Sequence, residues 1–267
     1  MKRNILIIAT ALVGMMLNSC DFEAYSKTIE GNGDIVTRTY DVSAFNGISV
    51  GLPATVNYIV SDNYTCVVRL DENLLEYLDI KVKDNDLLLG RLKEHNNTSL
   101  KATEFVIEVT APSLKEINLA GSGTFNANSP LEAEKLEVNL AGSGDIVFHK
   151  TVTAEKVELN VAGSGDLVCN ELISDKLDCN IAGSGDLKVV GGTVHEAEAG
   201  VAGSGDIVLT CDIENLDANI AGSGDIKARV SSKLTYGIIG SGDIGYYGNP
   251  VLEGNKAGRG SVTRLGD

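Results

Sequence analysis

A Gly-Ser-Gly triplet returns at a near-constant interval through the second half of the chain, and few folds can accommodate that periodicity. The triplets are Gly121-Ser122-Gly123, Gly142-Ser143-Gly144, Gly163-Ser164-Gly165, Gly183-Ser184-Gly185, Gly203-Ser204-Gly205, Gly222-Ser223-Gly224 and Gly240-Ser241-Gly242, followed by a degenerate Gly258-Arg259-Gly260. Successive first glycines lie 21, 21, 20, 20, 19, 18 and 18 residues apart. A unit this short cannot enclose a core by itself, so neighbouring units must stack.

The residues between triplets specify strands. Apolar side chains alternate before each corner, as in Leu136, Val138, Leu140 or Leu177, Cys179, Ile181, and again after it, as in Ile146 and Phe148 or Ile207 and Leu209. A period of two is that of a strand with one buried face. The expected fold is therefore all-β, a β-helix or solenoid with coils of 18–21 residues, right-handed by expectation. Eight coils at about 4.8 Å each make a rod of roughly 40 Å. Glycine suits the corner because it tolerates positive φ and close backbone approach, and the serine hydroxyl can cap a loose backbone group.

Two polar columns accompany the corners. Immediately after the triplet stand Asp145, Asp166, Asp186, Asp206, Asp225 and Asp243, whose carboxylates can accept N–H bonds and close the turn. Three residues before it stand Asn118, Asn139, Asn160, Asn180, Asn219 and Asn255, interrupted by Gly200 and Gly237. Stacked in register, these asparagines would form an amide ladder along the rod. The face carrying Asn139, Asn160, Asn180 and Asn219 is the candidate surface for a glycan or protein ligand. Calcium is the rival reading of the aspartate column, but the nonapeptide spacing of calcium β-rolls is missing, so no metal is expected.

The N-terminus reads as an export signal: Lys2 and Arg3, an apolar run from Ile5 to Leu17, then Leu17-Asn18-Ser19-Cys20. That run is too short to span a bilayer comfortably, which takes about 20 apolar residues. Its end resembles a lipobox, which implies cleavage after Ser19 and acylation of Cys20. The resulting division is a leader at 1–19, a lipidated tether at 20–30, an irregular β region at 31–115 continuous with the solenoid, and the repeat solenoid at 116–267. The partner this implies is a membrane, reached through the lipid anchor, and the expected location is the cell envelope, at the outer membrane.

Charge excludes nucleic acid. The chain carries a formal charge of −15, and loss of Lys2 and Arg3 from its 22 basic residues leaves 20 against 37 acidic, or −17. Binding nucleic acid needs Lys and Arg to neutralise phosphates. Cys66, Cys169, Cys179 and Cys211 lack CxxC pairing and are expected as free, buried thiols. Only His95, His149 and His195 could serve as a catalytic imidazole, and none has a partner pattern. Gly240-Ser241-Gly242-Asp243-Ile244-Gly245 spells a dinucleotide fingerprint on paper, but it is one copy of the corner and no helix follows it. No enzyme activity and no cofactor are expected. The enzymatic alternative, a polysaccharide lyase or hydrolase, would break the repeat to assemble acids and a base on one irregular face. A third reading is a structural envelope component without a ligand of its own.

Residues 31–115 also read as strands separated by Asn, Asp and Gly, with a short helical turn at Asp71-Glu72-Asn73-Leu74-Leu75-Glu76-Tyr77-Leu78. Several segments in order, Phe45-Asn46-Gly47-Ile48-Ser49-Val50, Ala54-Thr55-Val56, the Asp71–Leu78 segment, and Ala111-Pro112-Ser113-Leu114-Lys115 leading into Ile117-Asn118-Leu119-Ala120-Gly121-Ser122-Gly123, resemble a Bacteroidetes family of exported domains, the "putative auto-transporter adhesin, head GIN domain" family. The resemblance spans nearly all of the chain after the leader. It implies an all-β, β-helix-like exported protein and a surface-binding role, without naming a ligand.

Overall fold

The computed structural model describes residues 27–95 and 97–267; Cys20 and the leader lie outside them. Among these residues, 18 strands form one continuous sheet and two more form a small separate one.

The repeat half is a β-solenoid, as the period predicts. β10 (Glu116–Gly121), β11 (Thr124–Ala127), β12 (Leu131–Gly142), β13 (Asp145–Gly163), β14 (Leu167–Gly183), β15 (Leu187–Gly203), β16 (Ile207–Gly222) and β17 (Ile226–Gly240) stack in parallel, each residue over its equivalent one coil away. The triplet equivalents coincide, Gly142 with Gly163 and Gly163 with Gly183. Between β13 and β14 the ladder falls into three straight runs, 146–148, 151–154 and 156–163, so each coil bends twice besides the Gly-Ser-Gly corner. Inward rows are continuous: Leu136, Val157, Leu177, Ala197, Leu216 and Leu234 lie over one another, as do Ile146, Leu167, Leu187, Ile207, Ile226 and Ile244. All are buried. Fully burying one Leu or Ile contributes about 1.5–3 kcal/mol, so the stacked rows are what makes a twenty-residue coil stable.

The corner uses its two glycines for different reasons. Gly163 sits at φ +130°, in the region side-chain residues avoid. Gly165 has no such φ, but a Cβ there would lie 2.0 Å from the carbonyl oxygen of Gly144. Serine contributes through its backbone: the Ser164 N–H donates to the Gly142 carbonyl at 2.8 Å, and Ser184 repeats the bond to Gly163.

The N-terminal half departs from a simple run of coils. β3 (Gly47–Val50) and β4 (Thr55–Val60) make a rung directly against β10 and β11. The chain then leaves through β5 (Thr65–Asp71), a 3-10 turn at Glu72–Tyr77 and β6 (Leu78–Lys83), and places β7 (Asp86–Arg91) and β9 (Phe105–Ala111) on the far side of β3 and β4. The rung latest to be completed in this region is thus outermost. Antiparallel strands close it: β6 on β7, β5 on β9, and β2 (Ile35–Tyr40) on β5. β1 (Lys27–Glu30) pairs with β8 (Thr98–Lys101). A solenoid end otherwise offers bare strand edges and an open core, and this folded-over cap covers both. Asp71 ties the cap together, fully buried, accepting N–H bonds from Gly33 at 2.8 Å and Thr103 at 2.7 Å. Burial raises its pKa, but the bonds from Thr103 and Gly33 outweigh that and hold the carboxyl below its usual range.

At the other end β18 (Ile244–Tyr247) and β19 (Val251–Gly258) form a rung on β17, and β20 (Val262–Gly266) lies one level further out, on β18. β19 pairs only with β17 and is exposed along its whole length.

Candidate functional site

One outer face of the solenoid gathers three columns of side chains. Residues of β10 to β17 that alternate with the buried Ile117, Leu119, Val138 and Leu140 point outward. Reading along each strand, the columns are acidic (Glu116, Glu137, Glu158, Asp178, Glu198, Asp217), amide (Asn118, Asn139, Asn160, Asn180, Gly200, Asn219) and methyl (Ala120, Ala141, Ala162, Ala182, Ala202, Ala221).

The amide column is a directed hydrogen-bond chain. Asn180 Nδ2 donates to Asn160 Oδ1 at 3.1 Å, Asn160 to Asn139 at 3.0 Å, and Asn139 to Asn118 at 2.9 Å. It runs on into the N-terminal half, where Asn118 Nδ2 donates to Ser49 Oγ at 3.3 Å and Ser49 Oγ donates to Asp86 Oδ2 at 2.6 Å. Asp86 Oδ1 is buried with no partner. Burial raises the Asp86 pKa most, the Ser49 hydroxyl pulls it back, and Glu116 adds to the rise.

The structure brings Asn139, Asn160 and Asn180 together but not Asn219. Gly200 occupies the rung between Asn180 and Asn219, so the chain of amides stops. Asn219 Nδ2 turns instead to Asp217 Oδ1 at 2.7 Å. The expected ladder therefore lacks Asn219 and Asn255 on the C-terminal side, where Gly200 and Gly237 interrupt it, and is longer by Ser49 and Asp86 on the other. Those two carry no repeat signature; only the β3–β10 and β3–β7 registers place them in line.

The aspartate column works between coils rather than within its own turn. Asp145 Oδ1 accepts the Asp166 N–H at 3.3 Å, and the same bond recurs from Asp186 to Asp166, Asp206 to Asp186, Asp225 to Asp206 and Asp243 to Asp225. Glycine stacked over glycine at the corner brings each aspartate's N–H within hydrogen-bond reach of the carboxylate one coil before it. Ser261 ends the column by donating both N–H and Oγ–H to Asp243, which holds that carboxyl below its ordinary range.

Lysines offset part of the acidic column. Lys156 Nζ lies 2.9 Å from both Glu158 and Asp178, and Lys135 Nζ 3.0 Å from Glu158. Burial works against the Glu158 charge, but these two ammonium groups outweigh it and lower its pKa. Two coils on, Glu196 replaces the lysine. Partial burial and then the nearby Asp178 and Asp217 carboxylates push the Glu198 pKa up.

Two surface concavities accompany these columns. A groove of about 580 Å³ lies on the Asn/Ala face at its N-terminal end, where Gly51 and Gly90 lack side chains beside Ser49, Leu88, Asn118 and Asn139. A second, of about 980 Å³, follows another bend and is rimmed by Glu132, Glu155, Asp175, Asp212 and Glu214. His195 belongs to its rim, with Nδ1 2.7 Å from Glu214 Oε2. His149 Nε2 is 3.1 Å from Asn126 Oδ1, and His95 stacks edge-on against Tyr77. Both His149 and His195 lie within strands, on the outer surface. Among the described residues no group of three or more His, Cys, Asp or Glu side chains could hold a metal ion. The four described cysteines are unpaired and buried, and burial pushes the Cys66, Cys169 and Cys211 thiols up to about 12. No described helix is long and apolar enough to cross a membrane.

Known proteins share this architecture. A solved structure described as a "putative adhesin" from Parabacteroides merdae is 29% identical with a TM-score of 0.83, over 89% of this chain and 99% of that one. A "putative lipid binding protein" from Parabacteroides distasonis is 34% identical with a TM-score of 0.81, over 89% and 99%. A "putative adhesin" from the same organism is 28% identical with a TM-score of 0.82, over 89% and 100%. No curated protein matches the chain. The family model described as "Putative auto-transporter adhesin, head GIN domain" matches residues 44–168 and 137–250, which together take in the cap from β3 onward, the Asn/Ala face and nearly every corner, and the chain belongs to that family.

Proposed function

We propose that the protein is a cell-envelope lipoprotein, acylated at Cys20, that acts as an adhesion module holding a glycan or protein against the Asn/Ala face. The observation that carries this reading is the flat outer face itself. Its amide chain from Asn180 to Asn118 runs beside a column of methyl groups, and a groove of about 580 Å³ opens at one end. Flat rows of polar donors and acceptors over small side chains suit an extended ligand rather than a small substrate, which enzymes hold in a deep pocket with convergent catalytic groups. The family name and two of the solved relatives point the same way.

A lipid ligand, the reading attached to the 34% identical relative, has less support here. The inward rows are filled by side chains buried to within a few per cent, and the two large concavities are open grooves on the outside.

The test is an array of glycans and matrix proteins probed with the mature protein and with an Asn139→Leu/Asn160→Leu double variant. Binding to at least one class, lost in the folded variant, is the expected outcome. Blank arrays would favour a purely structural envelope component, and release of reducing or unsaturated ends would favour an enzyme. In cells, acyl labelling that vanishes in Cys20→Ser tests the anchor separately.

A further inference from the structure

The amide chain has a direction and an open end. Each asparagine donates from Nδ2 toward the N-terminal side and accepts on Oδ1 from the coil that follows. At the N-terminal end the chain discharges, through Ser49, onto the Asp86 carboxylate. At the other end is Asn180 Oδ1, which no donor among the described residues reaches. Hydrogen bonds in a chain polarise one another. An amide whose N–H already donates toward a carboxylate-terminated chain is a stronger acceptor at its own carbonyl, so this open end is the best acceptor in the column.

That oxygen leans toward a rung that offers no side chain. Gly200 stands on the next rung, and Asn180 Oδ1 lies 3.1 Å from where a Cβ of residue 200 would be. Beyond it, Asn219 has one Nδ2 hydrogen on Asp217 and, among the described residues, no acceptor for the other. The two asparagines stand two rungs apart, about 9.6 Å at the ordinary interstrand spacing. A planar amide placed between them would turn its N–H to Asn180 Oδ1 and its C=O to Asn219 Nδ2, in the orientation of the amides already in line.

Resting on the adhesion reading above, we propose that the Gly200 gap is the recognition point for an acetamido group of a neutral, N-acetylated glycan. The acetamido group supplies the N–H, the C=O and a methyl for the adjoining Ala202, while the pyranose ring lies along the flat surface of Ala182, Ala202 and Ala221. Neutrality follows from Asp178, Glu198 and Asp217 beside the gap, where no lysine pairs with Glu198 and the acid is already disfavoured as a carboxylate. An acidic sugar would be repelled. A protein Asn or Gln side chain offers the same amide, but protein interfaces depend on aromatic or arginine anchors seated in pockets, and this part of the face consists of Ala, Gly, Asn and acids.

Calorimetric titration with chitotetraose, which carries acetamido groups, and with cellotetraose, which carries hydroxyls in their place and is equally uncharged, reads the proposal directly. The expected result is a preference of roughly tenfold for chitotetraose, equivalent to about 1.4 kcal/mol. Gly200→Asn supplies the missing amide from the protein itself and should abolish that preference. Asn180→Ala removes the acceptor and should do the same without crowding the rung; thermal unfolding of both variants monitors the fold. Equal binding of the two sugars, or a preference that survives Gly200→Asn, overturns the assignment. So does array binding confined to proteins. If other glycans bind and are lost only in the Asn139/Asn160 double variant, this assignment falls and the adhesion face stands; if nothing binds, both fall.

Discussion

Each corner after the first places glycine over glycine so closely that the side chain is excluded twice over, once by φ at the first position and once by the neighbouring carbonyl at the third. Gly165→Ala should therefore destabilise the protein by about 2 kcal/mol or more, since the Cβ has no space and the backbone cannot retreat without breaking the ladder on both sides. The shift in the denaturant midpoint measures this; a change below about 0.5 kcal/mol, the range of ordinary surface substitutions, would show that the corner yields. Such positions were legible beforehand because each is repeated seven times. Ser49 and Asp86 were not, since each occurs once and joins the amide column only through pairing across 37 residues or more. The Gly200 interruption was visible as an exception to the asparagine rule. Its meaning was not, because the direction of the amide chain exists only in coordinates.

β19 shows how a solenoid edge is kept from templating another chain. Its register puts Lys256 over the buried Ile238, at a position pointing toward the core, and Lys256 Nζ donates to the Gly260 carbonyl at 3.0 Å. An inward-pointing charge on an otherwise free edge disfavours addition of a further strand. Exposed Val251, Leu252 and Ile239 nearby make that protection necessary. Lys256→Val should turn the described edge into an adhesive one, with concentration-dependent oligomers by light scattering where the parent protein shows none; a variant that stays monomeric would mean that the bare backbone edge is already disfavoured without the lysine. Elements of the repeat half could be read directly because period two and period twenty agree. The cap could be read only as a set of strands. Its antiparallel pairs, β2 with β5 and β5 with β9, join residues far apart in sequence and carry no repeat to fix their order.

Stability at the level of the whole molecule follows from stacking in one dimension, where each coil is held mainly by its two neighbours. Native-state hydrogen exchange should give the slowest amides in β13 to β16, flanked on both sides, and a decline through β17 to the singly supported β19. Uniform protection throughout would mean that cap and coils open as one unit. The folded-over order of the N-terminal rungs bears on how the chain is made. Because β7 and β9 precede β10 yet lie outside β3 and β4, a polypeptide emerging N-terminus first completes its starter block by Ala111, before the first Gly-Ser-Gly coil appears. Every later coil then arrives at a finished edge and winds on in sequence order, like thread onto a spool that is already mounted.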